Sequence, residues 1–237
     1  LFTREYIAEN EAKFDKAYSL LSDEESRKTY RDILNFKVSG KIEYLLSSFC
    51  DKDKVYSDIL KLKNDEEIID LGAYDGDTIR EFTKATNGKY RHITALEPDS
   101  KSYKKLIKNT DGMPNITALN MGAWSKKDTL IFSADAGRNS KLSSEGTSIE
   151  VTDVDSLNLA PTFIKMDIEG SEMRALEGAE KTIKTYTPKL YVCAYHRNED
   201  LFALPLKIHE LNDSYKIYFR HSKYIPAWES NFYCVTE

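Results

Sequence analysis

The chain has 237 residues and a formal charge of −5 at neutral pH, with a pI near 5.6. That length holds one α/β core burying roughly 70 to 75% of its extended-chain surface, with or without a small appendage. Lys and Arg are interspersed with Asp and Glu, which leaves no basic footprint for a nucleic-acid backbone, and no apolar run reaches the roughly 18 residues of a membrane span.

Residues 1–62 contain no proline and, apart from Gly40, no glycine. Their apolar residues fall at helical spacing: Phe14, Tyr18 and Leu21, then Tyr30, Ile33 and Leu34, then Tyr44 and Leu45. A helical extension is expected there, serving as a packing layer, a homodimer surface or a lid. Ser22 is expected to cap its helix at 23 onward, with Glu25 at the capping-box position. A single catalytic domain is expected over 63–237.

From residue 66, strand-like and helix-like runs alternate, the pattern of a mostly parallel sheet covered on both faces. Strands are expected at 66–73, 92–97, 116–121, 162–167, 189–195, 215–220 and 231–236, and helices at 77–86, 99–109, 172–186 and 200–212. Short strands at Thr129–Ser133 and Ile149–Val154 flank residues 134–140, a loop that reads equally as a cover for the acceptor site or as a connector. The last two strands follow the final helix too closely for a crossover and should pair antiparallel. Seven strands with that ending predict an α/β, doubly wound, Rossmann-like sheet of the class I methyltransferase kind, with ligands outside the carboxyl ends of its strands. Cys50, Cys193 and Cys234 have no paired spacing, which argues against a disulfide framework or a structural zinc site and for a reducing cytoplasm. No charged-then-apolar leader is present, and the start at Leu1 rather than at a methionine reads as a piece of a longer polypeptide.

The run Glu67-Ile-Ile-Asp-Leu-Gly72-Ala-Tyr-Asp-Gly76-Asp77-Thr78 predicts a strand, a tight turn and a helix start. Gly72 and Gly76 let the backbone bend and a ligand approach, and Asp70 is expected to face that ligand. Glu97, at the end of the next strand and roughly 20 residues beyond the turn, is spaced for the ribose of an adenosine cofactor. The turn is Gly-x-x-x-Gly and no Gly-Lys-Ser/Thr lies near it, so a pyrophosphate or triphosphate is poorly served. S-adenosylmethionine, with a ribose diol, an ammonium and a sulfonium charge, suits acids such as Asp70 and Glu97.

A second apolar strand, Phe163-Ile-Lys-Met-Asp167-Ile-Glu169-Gly-Ser-Glu172, ends in three acids. Strand alternation gives Asp167 and Glu169 a common face if the strand extends that far, and Glu172 suits a helix first turn. His196, one of four histidines, ends the following strand, where a neutral imidazole suits proton removal from a hydroxyl acceptor. Asp167, Glu169 and His196 are equally a donor set for a divalent magnesium- or manganese-like metal ion. Arg138, Arg197, Arg220 and His221 lie on segments expected near the same rim, where guanidinium forks would hold an anionic group such as a diphosphate.

These residues resemble a known family. Asp70-Leu-Gly-Ala-x-x-Gly-Asp-Thr78, Leu96-Glu-Pro98, Phe163–Glu172, Leu176-Glu-Gly-Ala179 and Tyr195-His196 are similar to the FkbM family of S-adenosylmethionine-dependent methyltransferases over roughly 66–237, and Leu21–Arg27 resembles the helical lead-in of its larger bacterial members. The resemblance implies methyl transfer to a hydroxyl, with polyketide and carbohydrate acceptors in the family and surface-polysaccharide assembly among its larger members. It implies that Asp70, Gly72, Tyr74, Gly76, Asp77, Thr78, Glu97 and Pro98 surround the cofactor, with Gly122, Ala123 and Asp167. It places Asp167, Glu169 and His196 toward the acceptor with Tyr195, and an adenine contact through backbone and apolar groups at Met121–Trp124. The reading is therefore an O-methyltransferase for a sugar hydroxyl, glycan-bound or nucleotide-activated. A nicotinamide-dependent sugar-modifying enzyme would want a dinucleotide fingerprint and a Tyr-x-x-x-Lys pair, both absent. A non-catalytic scaffold keeping the fold is the alternative of a different class.

Overall fold

In the computed structural model, which describes residues 2–133, 141–142 and 147–236, the N-terminal stretch is helical, as its spacing predicts. Helices α1 (Arg4–Glu9), α2 (Glu11–Ser19), α3 (Glu24–Ser39), α4 (Glu43–Ser47) and α5 (Lys52–Lys54) lead into a π-helical turn at Val55–Leu60. There follow β1 (Glu67–Leu71), α6 (Asp77–Ala85), β2 (His92–Leu96), α7 (Ser100–Asn109), β3 (Ile116–Leu119), β4 (Gly122–Ala123), β5 (Asp128–Ser133), β6 (Lys141–Leu142) and β7 (Thr147–Thr152). The chain continues with β8 (Phe163–Met166), α8 (Glu172–Glu177), α9 (Glu180–Tyr186), β9 (Lys189–Cys193), α10 (Asp200–Leu211), β10 (Lys216–His221) and β11 (Ser230–Val235). Seven of these strands form the mostly parallel sheet of the doubly wound α/β fold. Backbone contacts divide the chain into two units, Leu62–Pro188 and Leu1–Lys61 with Lys189–Glu237.

In Leu62–Pro188, β8, β1, β2 and β3 lie side by side and all parallel, with Asp70 opposite Lys165 on one side and Ala95 on the other. Ile68, Ile69 and Leu71 are fully buried, as expected of a strand covered on both faces. Helix α6 covers this sheet with Ile79 and Phe82, the latter edge-on to Phe163 at 5.1 Å. Asp99 caps α7 by accepting from the amides of Lys101 and Ser102. A second sheet, in the order β4-β7-β5-β6, fills the segment between β3 and β8. The helix expected at 172–186 is broken in two around Gly178, where a Cβ would lie 2.2 Å from the Trp124 carbonyl oxygen.

In the other unit, β11 pairs antiparallel with both β10 and β9, which is the hairpin-like ending the short connection predicts. Tyr30 on α3 is buried, donates to the Leu201 carbonyl at 2.8 Å and packs edge-on against Phe219. The helix cap is Asp23, not Ser22: α3 starts at Glu24 and Asp23 accepts from the Ser26 amide. The Ser22 amide instead donates to Ile217, beside the bridge of Leu21 to Ile217, and this holds the chain extended one residue longer.

Candidate functional site

The turn after β1 is tied on each side. The amides of Gly72 and Ala73 both donate to the Leu96 carbonyl, at 2.9 and 3.0 Å, and Gly76 donates back to Ala73. Gly72 has φ +79° and a Cβ there would lie 1.8 Å from the Asp167 carbonyl oxygen, so both conformation and close approach require glycine. Tyr74 also has a left-handed φ of +47°, a cost of about 1 kcal/mol. The hydrogen bond from its amide to Glu97 Oε2, at 2.8 Å, offsets this. Asp77 opens α6 with its carboxylate accepting from the Thr78 amide and hydroxyl, while Asn109 holds the Asp75 carbonyl.

Glu97 stands at the carboxyl end of β2, where the spacing predicts an acid. It is 6% exposed. Oε2 accepts from Tyr74 and Oε1 from the Asp99 amide, each at 2.8 Å. Burial nevertheless pushes its carboxyl up to about 7, because the two amides recover only part of the lost hydration. Pro98 follows, and Asn120 clamps the carbonyls of Glu97 and Pro98. Gly122 and Ala123 are buried on β4, and a Cβ on Gly122 would touch Pro98 at 3.7 Å, so these three residues form an apolar, main-chain-rich wall.

Asp70 does not present its carboxylate at a surface: it is fully buried. Its partner is Lys165, whose ammonium lies 3.2 Å from Asp70 Oδ1 and 3.9 Å from Asp167 Oδ2 and donates to the Gly72 carbonyl at 3.0 Å. Burial pushes the Asp70 carboxyl up and Lys165 pulls it back. The role of Lys165 escaped the sequence reading, although a lysine inside the apolar strand Phe163–Met166 was a signal that a buried partner existed. Asp167 has a 28% exposed side chain, and its amide donates to Leu71. Strand β8 ends before Asp167, and Glu169 takes φ +55° in a turn with Gly170, so strand alternation does not give Asp167 and Glu169 a common face. Glu172 is buried and folds back to accept from the Ile168 amide, closing that turn.

In the other unit, His196 follows β9 with its ring 4.1 Å from that of Tyr195, and the Arg197 amide is held by Asp200 at the start of α10. Arg197 is exposed. Arg220 is not: it is 4% exposed, with its guanidinium on Asp23 at 2.5 Å and on Ser26 Oγ at 2.7 Å. That pairing commits it to holding α3 on β10, so the expected place at an acceptor rim does not suit it. His221 is likewise buried, bonded to Ser230 and pushed down to about 4 by burial, hence neutral at physiological pH. Arg138 and the loop 134–140 lie outside the described residues. No helix among the described residues is long and apolar enough to cross a membrane.

The sequence matches the Methyltransferase FkbM domain over residues 70–215. The structure is similar to that of a methyltransferase FkbM from Methylobacillus flagellatus KT, with a TM-score of 0.83 and 30% identity, covering 98% of this chain and 60% of that one. The chain thus spans 60% of that relative's length. An rRNA methylase from Streptococcus thermophilus aligns with a TM-score of 0.50 and 12% identity over 77% of this chain and 92% of that one, a likeness of fold alone. No curated protein sequence matches the chain.

Proposed function

The chain belongs to the FkbM methyltransferase family, and we propose that it is an S-adenosylmethionine-dependent O-methyltransferase acting on a sugar hydroxyl, nucleotide-activated or in a surface polysaccharide. The observation that carries the cofactor is the buried Glu97 carboxylate, aimed by two backbone amides at the end of β2 beside a left-handed glycine turn. Each of its oxygens keeps a lone pair for a ribose hydroxyl. Gly72, Tyr74, Gly76, Asp77 and Thr78 would line the same nucleoside, with Pro98, Gly122 and Ala123 against the adenine. The cofactor supplies a methyl group made electrophilic by a positive sulfur, and the carboxylate of Asp167 fits that charge. Asp70 serves from beneath, through Lys165.

Oxygen as acceptor is supported by Asp167-Ile168-Glu169-Gly170 in place of the Asn/Asp-Pro-Pro-Tyr/Phe run of many amino-group methyltransferases. His196 is assigned the acceptor's proton, a step worth about 10² to 10⁴ in rate. A sugar is supported by the loop between β10 and β11, where Tyr224 and Trp228 are exposed and stacked with ring centroids 5.6 Å apart. Aromatic faces of this kind pack against the C–H face of a pyranose. That loop ends at Ser230, whose carbonyl accepts from Ala194, two residues before His196. Arg197 and Tyr195 would hold the acceptor, Arg197 through a phosphate. Three cysteines, none in a disulfide, fit a reducing cytoplasm.

Incubation with methyl-labelled S-adenosylmethionine and a panel of nucleotide sugars tests the assignment. His196→Ala and Asp167→Asn should each abolish turnover without changing the thermal midpoint; near-normal rates in both would refute the roles given. Turnover lost to a chelator and restored by magnesium would add a metal requirement, and a folded chain that ignores the cofactor at millimolar concentration would make it a scaffold.

A further inference from the structure

A lysine ammonium in a parallel-sheet interior is costly, and a buried ion pair is commonly matched or bettered in stability by apolar residues of similar volume. Lys165 is 3% exposed in its side chain and sits in a strand whose other residues, Phe163, Ile164 and Met166, are fully buried. What distinguishes the position is where the charge points. Three acceptors surround one ammonium: the Gly72 carbonyl at 3.0 Å, Asp70 Oδ1 at 3.2 Å and Asp167 Oδ2 at 3.9 Å. One acceptor belongs to the glycine turn, one lies beneath it and one stands at the exposed end of β8.

We propose that Lys165 is the positioning residue of the cofactor cradle, locking the glycine turn to Asp167 so that turn and acid are presented as one rigid unit. The inference rests on the S-adenosylmethionine reading given above. Two further contacts make the same junction: the Asp167 amide on the Leu71 carbonyl at 3.0 Å, and the Asp167 carbonyl oxygen in the space a Gly72 Cβ would fill. Backbone alone thus sets how close β8 comes to the turn. Lys165 adds the part backbone cannot, the direction of the Gly72 carbonyl and of the Asp167 carboxylate. Asp70, with no exposure, serves as its counter-charge. Lys165 also draws the Glu97 carboxyl downward across the cradle, so its charge reaches the ribose side.

Lys165→Met alone leaves Asp70 buried without its cation and is expected to unfold easily. The Asp70→Asn/Lys165→Met pair removes both charges together and should recover the thermal midpoint. Isothermal calorimetry with S-adenosylhomocysteine is then run on the wild-type chain and the double variant between pH 5 and 7.5. The double variant should bind at least tenfold more weakly, with the pH midpoint of its affinity above that of the wild type, because Glu97 has lost a cation. Wild-type affinity and midpoint in the double variant would overturn the proposal and leave Lys165 as a mere counter-ion for Asp70. Lys165→Arg, which keeps the charge but moves the donor, covers the case in which the double variant does not fold: undiminished affinity there would overturn it equally. No binding by the wild-type chain would instead sink the cofactor reading itself.

Discussion

Glu97 gives the sharpest test of the cofactor cradle, because its carboxyl is raised to about 7 from the usual 4.5. If Glu97 holds the ribose as proposed, the ribose hydroxyls donate to its ionised form, so ligand binding must expel whatever proton it carries. In the ligand-free protein about 1% of the group is ionised at pH 5 and about three-quarters at pH 7.5. Affinity for S-adenosylhomocysteine should therefore rise with pH across this window by as much as roughly 80-fold, about 2.6 kcal/mol. Stability moves the other way. A carboxyl whose pKa is raised by folding contributes stability that is fully present below its unfolded pKa and is lost as pH rises through the folded one. Protonation of Glu97 should therefore make the unliganded fold more stable at pH 5 than at pH 7.5 by of order 2 kcal/mol. The two trends separate ligand recognition from acid damage, which would weaken both together. Glu97→Gln removes the titration, and its amide nitrogen must meet either the Tyr74 or the Asp99 N–H, leaving one donor unpaired at a cost of about 1 to 3 kcal/mol. Calorimetry of that variant should give weaker binding that is flat with pH. A pH-independent affinity in the wild type, or a slope that survives in the variant, would refute the argument.

Gly72→Ala puts a Cβ 1.8 Å from a backbone oxygen at φ +79° and should cost more than about 3 kcal/mol, whereas Gly112→Ala, at φ +77° with open space, should cost about 1. Equal thermal midpoints in the two would show that the turn does not need to lie so close to β8. Asp23→Ala removes a helix cap and the nearer carboxylate of the buried Arg220, leaving it Glu25 Oε2 at 3.3 Å, a loss of roughly 3 kcal/mol in chemical denaturation. Burial raises the Asp23 carboxyl, but the bonds to Arg220 and Ser26 outweigh it and hold the group below the usual range. Its contribution is therefore present above the ordinary carboxylate pKa and lost as pH falls through the depressed value. Asp23→Asn should lack this acid-side loss, and an unchanged acid transition would count against the pairing.

What the chain discloses without coordinates follows the range of each interaction. The buried strands were legible because a sheet covered on both faces demands continuous apolar runs such as Leu190–Ala194, and the glycine turn and Glu97 because both lie within one β-α-β unit. Helix 172–186 read as unbroken because the neighbour that requires glycine at 178, the Trp124 carbonyl, is remote in sequence. Arg220 was misplaced for the same reason: its partner Asp23 lies 197 residues away, and a surface arginine and a buried one look alike in a sequence.

Lys165 is the instructive case, since the signal was present and only its meaning was hidden. A charged residue at an interior position of an apolar strand announces a buried partner, and the candidates were few. Choosing Asp70 needed the register of β1 on β8, which pairs these two residues directly, and sequence patterning does not fix register between parallel strands. Once that register is known, Asp70 changes role: an acid expected to touch ligand becomes the buried counter-charge of the group that holds the turn. The acids of this cradle thus divide by depth. Asp70 is sealed beneath the turn, Glu97 is held at its edge by two amides, and Asp167 stands at the open end of β8.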